Sequence, residues 1–381
     1  MIYYGKQSIG NEEVKIVKNV LRGKYLTQGP YVKIFEDRLG KFFGSKYCVT
    51  FSSGTSALYS LGKALGWNKK DYIITTPISF LATSNCIEFC GANTEFVDVD
   101  PNFPTINLDK VKKKFFELKK KNKKVVAIIA VDYAGVPCDW KGLRKFASEN
   151  KLKLINDNCH AMGTKYYNDR KYAIKYADFV SQSFHPVKSI TTGEGGAIIT
   201  NNKRINNLLK LHRNHCIIKD KKKIWNYNIN EIGHNYRITD LQCAIGIEQI
   251  KKVDNFIKKR REVANLYYKH LSKFDILQLP PINKNFSSAY HLFPIRIKKL
   301  KESTKIKLFK MFEKNGFQLQ VHYKPIILQN YYKKKYNIDI KNFKNSIFYY
   351  KDSFSAPIYP NIKKREILNF IKLMKKFLKR R

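Results

Sequence analysis

Phe51-Ser-Ser-Gly-Thr-Ser-Ala-Leu58 closes an apolar strand, turns on small residues and opens a helix without an intervening loop. So abrupt a change of pattern marks a βα unit. It also leaves the N–H groups of a helix N-terminus exposed, with hydroxyls beside them. That arrangement suits a phosphate, but Ser and Thr are equally ordinary N-caps. The segment alone leaves both readings open.

The same alternation extends to either side. Apolar segments at Tyr47–Phe51, Tyr72–Thr75, Thr94–Val97, Val125–Val131, Leu152–Ile155, Phe179–Gln182 and Ala197–Thr200 read as strands. Helical patterns at Ser56–Leu65, Ala82–Cys90, Leu108–Phe116 and Trp140–Glu149 lie between them. Nearly continuous apolar strands predict an α/β fold whose mostly parallel sheet is covered on both faces. Ligands of such sheets bind beyond the carboxyl ends of the strands. A long helical pattern follows from Thr239 to Leu271, then Pro280-Pro281, a strand at His291–Ile297, a helix at Lys305–Asn315 and a strand at Gln318–His322. The expected division is a large α/β domain over 1–245, N-terminal arm included, and a smaller α+β domain over 246–381.

Composition narrows the classes. The chain has 381 residues, 43% of them hydrophobic and 14% aromatic, which is enough for a sizeable core. Its longest apolar run, Val125–Val131, is far short of the roughly 20 residues of a membrane span. No apolar leader follows Met1, so the cytoplasm is the expected compartment. The seven cysteines include no CxxC pair and read as reduced thiols. His212 and His215 lack a matching second pair of ligands, so no metal is expected. The net charge of +43 is spread along the whole chain. Its densest runs, Lys112–Lys124 and Lys363–Arg381, read as solvated helix faces and a tail without interleaved aromatics, so no nucleic-acid partner is expected.

Two further segments bear chemistry. In Leu154-Ile-Asn-Asp157-Asn-Cys-His160 an apolar strand delivers an aspartate at its carboxyl end, where a buried carboxylate needs a partner. A protonated pyridine nitrogen is one such partner; an N–H to be capped on a βα loop is the other. In Ser181-Gln-Ser183-Phe-His-Pro-Val-Lys188-Ser-Ile-Thr-Thr-Gly-Glu-Gly-Gly196 one lysine stands between an apolar strand and a glycine-rich turn. A partly enclosed lysine is the reactive kind that forms Schiff bases.

The order of these parts resembles the fold-type I pyridoxal-phosphate enzymes. Ser53-Gly-Thr-Ser-Ala-Leu58, Thr76-Pro-Ile-Ser-Phe-Leu-Ala-Thr83, Asp157-Asn-Cys-His-Ala161, Ser183-Phe-His-Pro-Val-Lys188 and Gly233-His-Asn-Tyr-Arg237 resemble the sugar aminotransferases of the DegT/DnrJ/EryC1/StrS family. Lys24-Tyr-Leu-Thr-Gln-Gly29, Val131-Asp-Tyr-Ala-Gly135 and Val321-His-Tyr-Lys-Pro-Ile326 are most like the branch serving pseudaminic acid biosynthesis. That branch aminates C4 of a UDP-linked 4-keto-6-deoxy-N-acetylhexosamine with glutamate as donor. Other branches, of bacillosamine or perosamine type, take other nucleotide 4-keto sugars.

The resemblance implies roles. Lys188 carries the pyridoxal 5′-phosphate as a Schiff base and moves the proton. Asp157 faces the ring nitrogen, His160 the phenolic oxygen and Phe80 the ring face. Gly54, Thr55 and Ser183 hold the phosphate. Asn235 reaches the phosphate of a second subunit, which makes a homodimer with shared active sites. Thr27, Arg237, His322 and Tyr323 face the sugar nucleotide. Relatives with histidine in place of the lysine dehydrate their substrate instead; here Lys188 is intact, with His185 three residues before it.

Overall fold

The computed structural model describes residues 1–379. Seven strands form the main sheet: β1 (Tyr47–Phe51), β2 (Asp71–Thr75), β3 (Asn93–Phe96), β4 (Lys124–Val131), β5 (Lys153–Asp157), β6 (Phe179–Ser183) and β7 (Gly196–Thr200). Their spatial order is β1-β7-β6-β5-β4-β2-β3. Only β7 is antiparallel, to β1 on one side and β6 on the other. The other six therefore deliver their carboxyl ends to one edge.

Successive side chains alternate between two cores. Ile128, Ala130, Leu154, Val180 and Ile199 face one, and Ala127, Ile129, Ile155, Phe179 and Ile198 face the other. Burial on both faces is why these strands read as unbroken apolar runs. Four helices matter below: α1 (Gly54–Ala64), α2 (Ala82–Phe89), α3 (Lys203–Arg213) and α4 (Asp240–Leu271). Thr239 caps α4 by accepting from the Gln242 N–H, a pairing that fixes its start.

The first half of α4 packs Cys243, Ile247, Val253 and Ile257 against the main sheet's core. Its second half gives Val263, Ala264, Tyr267 and Leu271 to another core. That core lies on a three-stranded antiparallel sheet of Leu277–Gln278, Phe293–Ile297 and Ser353–Ala356. Two expectations change here. Residues 318–322 make no strand: Gln318 bonds to Ile2, and Gln320 makes a single bridge to Ser355, so no ladder propagates. The basic run 363–381 is less solvated than its charge implied. Helix α5 (Lys364–Lys379) buries Ile367, Phe370, Ile371 and Met374 in the smaller core, each worth about 1.5–3 kcal/mol. Arg380 and Arg381 lie outside the described residues. Among the described residues, no helix is long and apolar enough to cross a membrane.

Candidate active site

The site is assembled where β1, β4, β5 and β6 end. Strand periodicity sends Asn156 and Asn158 to one side of β5 and Asp157 to the other. The buried Asp132 carboxylate at the end of β4 clamps both asparagines, accepting from Asn156 Nδ2 (3.0 Å) and Asn158 Nδ2 (2.9 Å). It also accepts from Tyr172 Oη, Trp140 Nε1 and the Cys138 N–H, while burial raises its pKa. Gripped on both sides, Asp157 has one direction to point. Its Oδ2 accepts from Thr83 Oγ1 at 2.6 Å, and Thr83 in turn contacts Ser79 Oγ at 2.6 Å. Thr83 has one proton to give, so Ser79 donates to Thr83 and Thr83 to Asp157. Oδ1 accepts the Cys159 N–H at 3.3 Å, and the Cys159 thiol also hydrogen-bonds to this carboxylate.

His160 and Lys188 face this carboxylate's surroundings. His160 Nδ1 accepts from the Ala134 N–H (3.3 Å), while Nε2 meets Tyr323 Oη at 3.2 Å. His291 packs on the His160 ring at 4.4 Å between centroids and keeps an unpartnered, buried Nδ1. Burial, with Lys188 nearby, holds His160 and His291 well below 6.5 and His322 at about 3, so all three imidazoles are neutral. Burial also lowers the Lys188 pKa from 10.5, against the pull of Cys159 and Asp157. Its ammonium form is therefore disfavoured, which is what a nucleophilic amine requires.

The turn between β1 and α1 resolves its two readings residue by residue. Ser53 is a true N-cap: its Oγ accepts from the Ser56 N–H at 3.1 Å, and Ser56 Oγ returns a contact to the Ser53 N–H. The Gly54 and Thr55 N–H groups are left for a ligand. Ser183, ending β6, lies against them; a Cβ on Gly54 would stand 3.0 Å from the Ser183 Cβ. Gly196 passes closer still, where a Cβ would sit 2.4 Å from the Ser53 oxygen and 2.5 Å from the Gly54 nitrogen. Only glycine lets β7 start beside this turn.

The fold thus brings Lys188, Asp157, His160, Tyr323, Gly54, Thr55 and Ser183 to one edge of the sheet. Phe80 stands at the rim, 56% exposed, its ring 6.2 Å from Tyr323. His322 is sequestered: 5% exposed, with Nδ1 on Ser355 Oγ (2.8 Å) and its carbonyl accepting from Tyr133 Oη. A second group lies along the start of α4. Thr27 bridges Thr239, Arg237 donates to Asn214 Oδ1 (2.6 Å), and exposed Asn235 bridges Asn214. The Ser52 N–H donates to the Tyr236 oxygen (2.8 Å), which ties this segment to the phosphate turn. Thr83, Tyr133 and His291 were given no role by the sequence reading. Thr83 and Tyr133 each left a signal, as members of the Thr76–Thr83 and Val131–Gly135 motifs; His291 left only its place at the head of a predicted strand.

Residues 7–375 match the DegT/DnrJ/EryC1/StrS aminotransferase family. The chain belongs to that family. It is 35% identical over 360 residues, 94% of this chain and 93% of the relative, to the UDP-4-amino-4,6-dideoxy-N-acetyl-β-L-altrosamine transaminase of Campylobacter jejuni. Against the GDP-perosamine synthase of Escherichia coli O157:H7 the identity is 29%, covering 86% of this chain and 87% of that one. A solved aminotransferase of pseudoaminic acid biosynthesis from Helicobacter pylori superposes with a TM-score of 0.92 at 30% identity, covering all of both chains. The protein is an aminotransferase with the fold of this family, whose members work with pyridoxal phosphate.

Proposed function

We propose that this aminotransferase moves the amino group of glutamate to C4 of a UDP-linked 4-keto-6-deoxy-N-acetylhexosamine, giving UDP-4-amino-4,6-dideoxy-N-acetyl-β-L-altrosamine. The observation that carries the chemistry is the enclosed Lys188 amine beside Asp157 and the His160–Tyr323 pair. Support for the sugar comes from the Campylobacter relative, a same-named enzyme of Helicobacter pylori at 33% identity, and the superposed Helicobacter structure.

The residues fit pyridoxal phosphate, which supplies a protonated ring able to draw electrons from the carbon that gains or loses a proton. Asp157 Oδ1, met only by weak donors of Cys159, would have room to hold a proton on the ring nitrogen. The Gly54 and Thr55 N–H groups, with Ser183 Oγ, hold the phosphate at the head of α1. His160 would serve the phenolic oxygen, and Phe80 would cover the ring face. Lys188 Nζ, neutral more readily than an exposed lysine, would hold the cofactor covalently and be placed to carry the proton at the substrate carbon. Tyr323, Thr27 and Arg237 face the sugar nucleotide; His322, already bonded to Ser355, supports Tyr323 from behind.

A homodimer in the cytoplasm belongs to the same reading. The hairpin of Ile217–Lys219 and Tyr227–Ile229, with the residues after it, leaves Ile224 (84%), Trp225 (78%), Tyr227, Ile229 and Ile232 (80%) exposed. So many large apolar groups together call for a covering partner. Asn235 follows at once and would reach the partner's phosphate. The perosamine synthase relative motivates the second reading, a different nucleotide 4-keto sugar of perosamine or bacillosamine type. Incubating the enzyme with glutamate and a panel of UDP- and GDP-linked 4-keto sugars, with products solved by NMR, separates the two. Amination of a GDP-linked sugar with none of the UDP-linked hexosamine overturns the assignment.

A further inference from the structure

We propose that His212, Cys216 and Glu231 bind a thiophilic divalent cation, zinc by preference, that fastens the root of the 217–229 hairpin. The hairpin's two strands pair only with each other, Tyr227 with Lys219 and Ile229 with Ile217, and no residue from 218 to 229 is buried. A two-stranded ribbon without a packed face is marginal in water. A partner subunit over its apolar residues, as proposed above, still leaves the root to be held within the chain.

Three metal-ligating side chains meet there. Cys216 immediately precedes the first strand, Glu231 follows the second, and His212 stands in the last turn of α3. Cys216 Sγ is 3.5 Å from His212 Nδ1, and Glu231 Oε1 is 3.6 Å from His212 Nε2. The three ligand atoms lie within 4.8 Å of one another. Those contacts use opposite ring nitrogens, of which one cation takes one; tetrahedral zinc holds a sulfur, a nitrogen and an oxygen ligand about 3.3–3.6 Å apart, so the ligand on the other nitrogen has to swing across to complete the site. Backbone bonds already set the ligand positions: Cys216 N–H donates to the Leu211 oxygen (2.9 Å), and His234 N–H to the His212 oxygen (3.2 Å).

The donor set names the cation. Thiolate, imidazole and one carboxylate suit zinc and not the oxygen-seeking magnesium or calcium. Cys216 and His212 are buried while Glu231 is exposed, which gives a small cation an entrance and leaves a coordination position for water. A buried thiol beside an imidazole also raises the prospect of a nucleophile, but 2% exposure denies it a substrate of any bulk. On binding, the S–H bond breaks, an S–Zn bond forms, and one proton leaves to solvent. Spacing along the chain had left His212 without partners; the fold supplies them.

The holoenzyme, stripped with chelator and desalted, is titrated with zinc chloride by calorimetry in two buffers of different ionisation heat. The expected result is one equivalent per chain with release of a proton. In hydrogen exchange, zinc at a hundred times its Kd should slow the amides of 217–231 by about 100-fold if their opening breaks the site. Cys216→Ser and His212→Gln should each weaken binding at least tenfold and remove that protection. Glu231→Gln, on the exposed side, tests the same point should the buried changes disturb folding. Zinc binding that is absent, or equal in wild type, Cys216→Ser and Glu231→Gln, overturns the proposal, as does binding that leaves exchange of the hairpin unchanged. None of these readouts depends on which sugar the enzyme takes.

Discussion

Thr83→Val should slow the enzyme by acting on Asp157 alone. Valine keeps the shape of threonine but cannot donate, so Asp157 Oδ2 loses its 2.6 Å partner and Ser79 Oγ loses its own. A hydrogen bond to a charged group contributes about 1.5–3 kcal/mol. At 1.36 kcal/mol per factor of ten, the expected fall in kcat/KM is roughly 10- to 150-fold. Thr83→Ser restores the donor and should recover most of the rate. The decisive measurement is a double-mutant cycle with Asp157→Asn, following the amino-donor half-reaction by absorbance. Asp157→Asn by itself should cost at least about 100-fold, the scale of one preorganised electrostatic contact. If Thr83 works through that carboxylate, Thr83→Val should cost little once Asp157 is gone, leaving a coupling of about 1.5–3 kcal/mol. Additive losses, or a Thr83→Val enzyme within twofold of wild type, would refute the argument.

Lys188→Ala should still take up cofactor but lose turnover, and borohydride reduction of the wild type should fix the cofactor to Lys188; mapping of the adduct to another lysine removes the assignment. Because burial lowers the Lys188 pKa, formation of the covalent bond between Lys188 and cofactor in the stripped enzyme, followed by absorbance, should rise with pH to a midpoint below 10.5; a midpoint at or above that value contradicts the enclosed amine. Mixed under subunit exchange, Lys188→Ala and Asn235→Ala proteins should recover towards about a quarter of wild-type activity, because a two-fold dimer then holds one intact site per mixed pair; confirmed exchange without recovery places Asn235 in its own subunit's chemistry. His160, His291 and His322 are neutral in the fold, with His322 at about 3, while the unfolded chain protonates them from pH 6.5 downward. Stability should therefore fall as pH drops below about 6.5, by up to ~1.4 kcal/mol per pH unit for each histidine until its folded pKa is reached. Urea midpoints should show His291→Phe with a flatter profile than wild type, and parallel profiles would dismiss the histidine origin.

Reading the sequence located the main sheet well because its strands are bounded on both sides by turn residues and are apolar on both faces. Val125–Val131 and Phe179–Gln182 differ from the observed strands by one residue at a single end. What pattern could not convey is direction: nothing in Ala197–Thr200 says that it runs against its neighbours. Residues 318–322 alternate like a strand, yet each end of the segment bonds to a different distant partner. Helix 364–379 hid its apolar stripe beneath lysines that snorkel from one face. For the site, strand-end residues such as Asp157 and Ser183 were legible because strand ends are where such sheets bind. Their supports were not. Thr83 meets Asp157 across 74 positions and Tyr323 meets His160 across 163, distances at which local pattern carries no information.

The place of β7 has a consequence for the order in which this chain can be made. Strand β1 emerges from the ribosome first, yet its only partner in the sheet is β7, which ends at Thr200. At synthesis rates of about 5–20 residues per second, β1 and the turn at Ser53–Thr55 wait on the order of 10 s for a place to dock. The strands from β2 to β6 can associate meanwhile, each finding its neighbours among segments already made or soon to follow. The phosphate-binding turn is thus early in the gene and late in the fold, and Tyr323 arrives later again. A nascent chain that has emerged from the ribosome only as far as residue 190 or so would hold Asp157 and Lys188 on a growing sheet with an apolar strand still unpaired, the state in which a chaperone has most to shield.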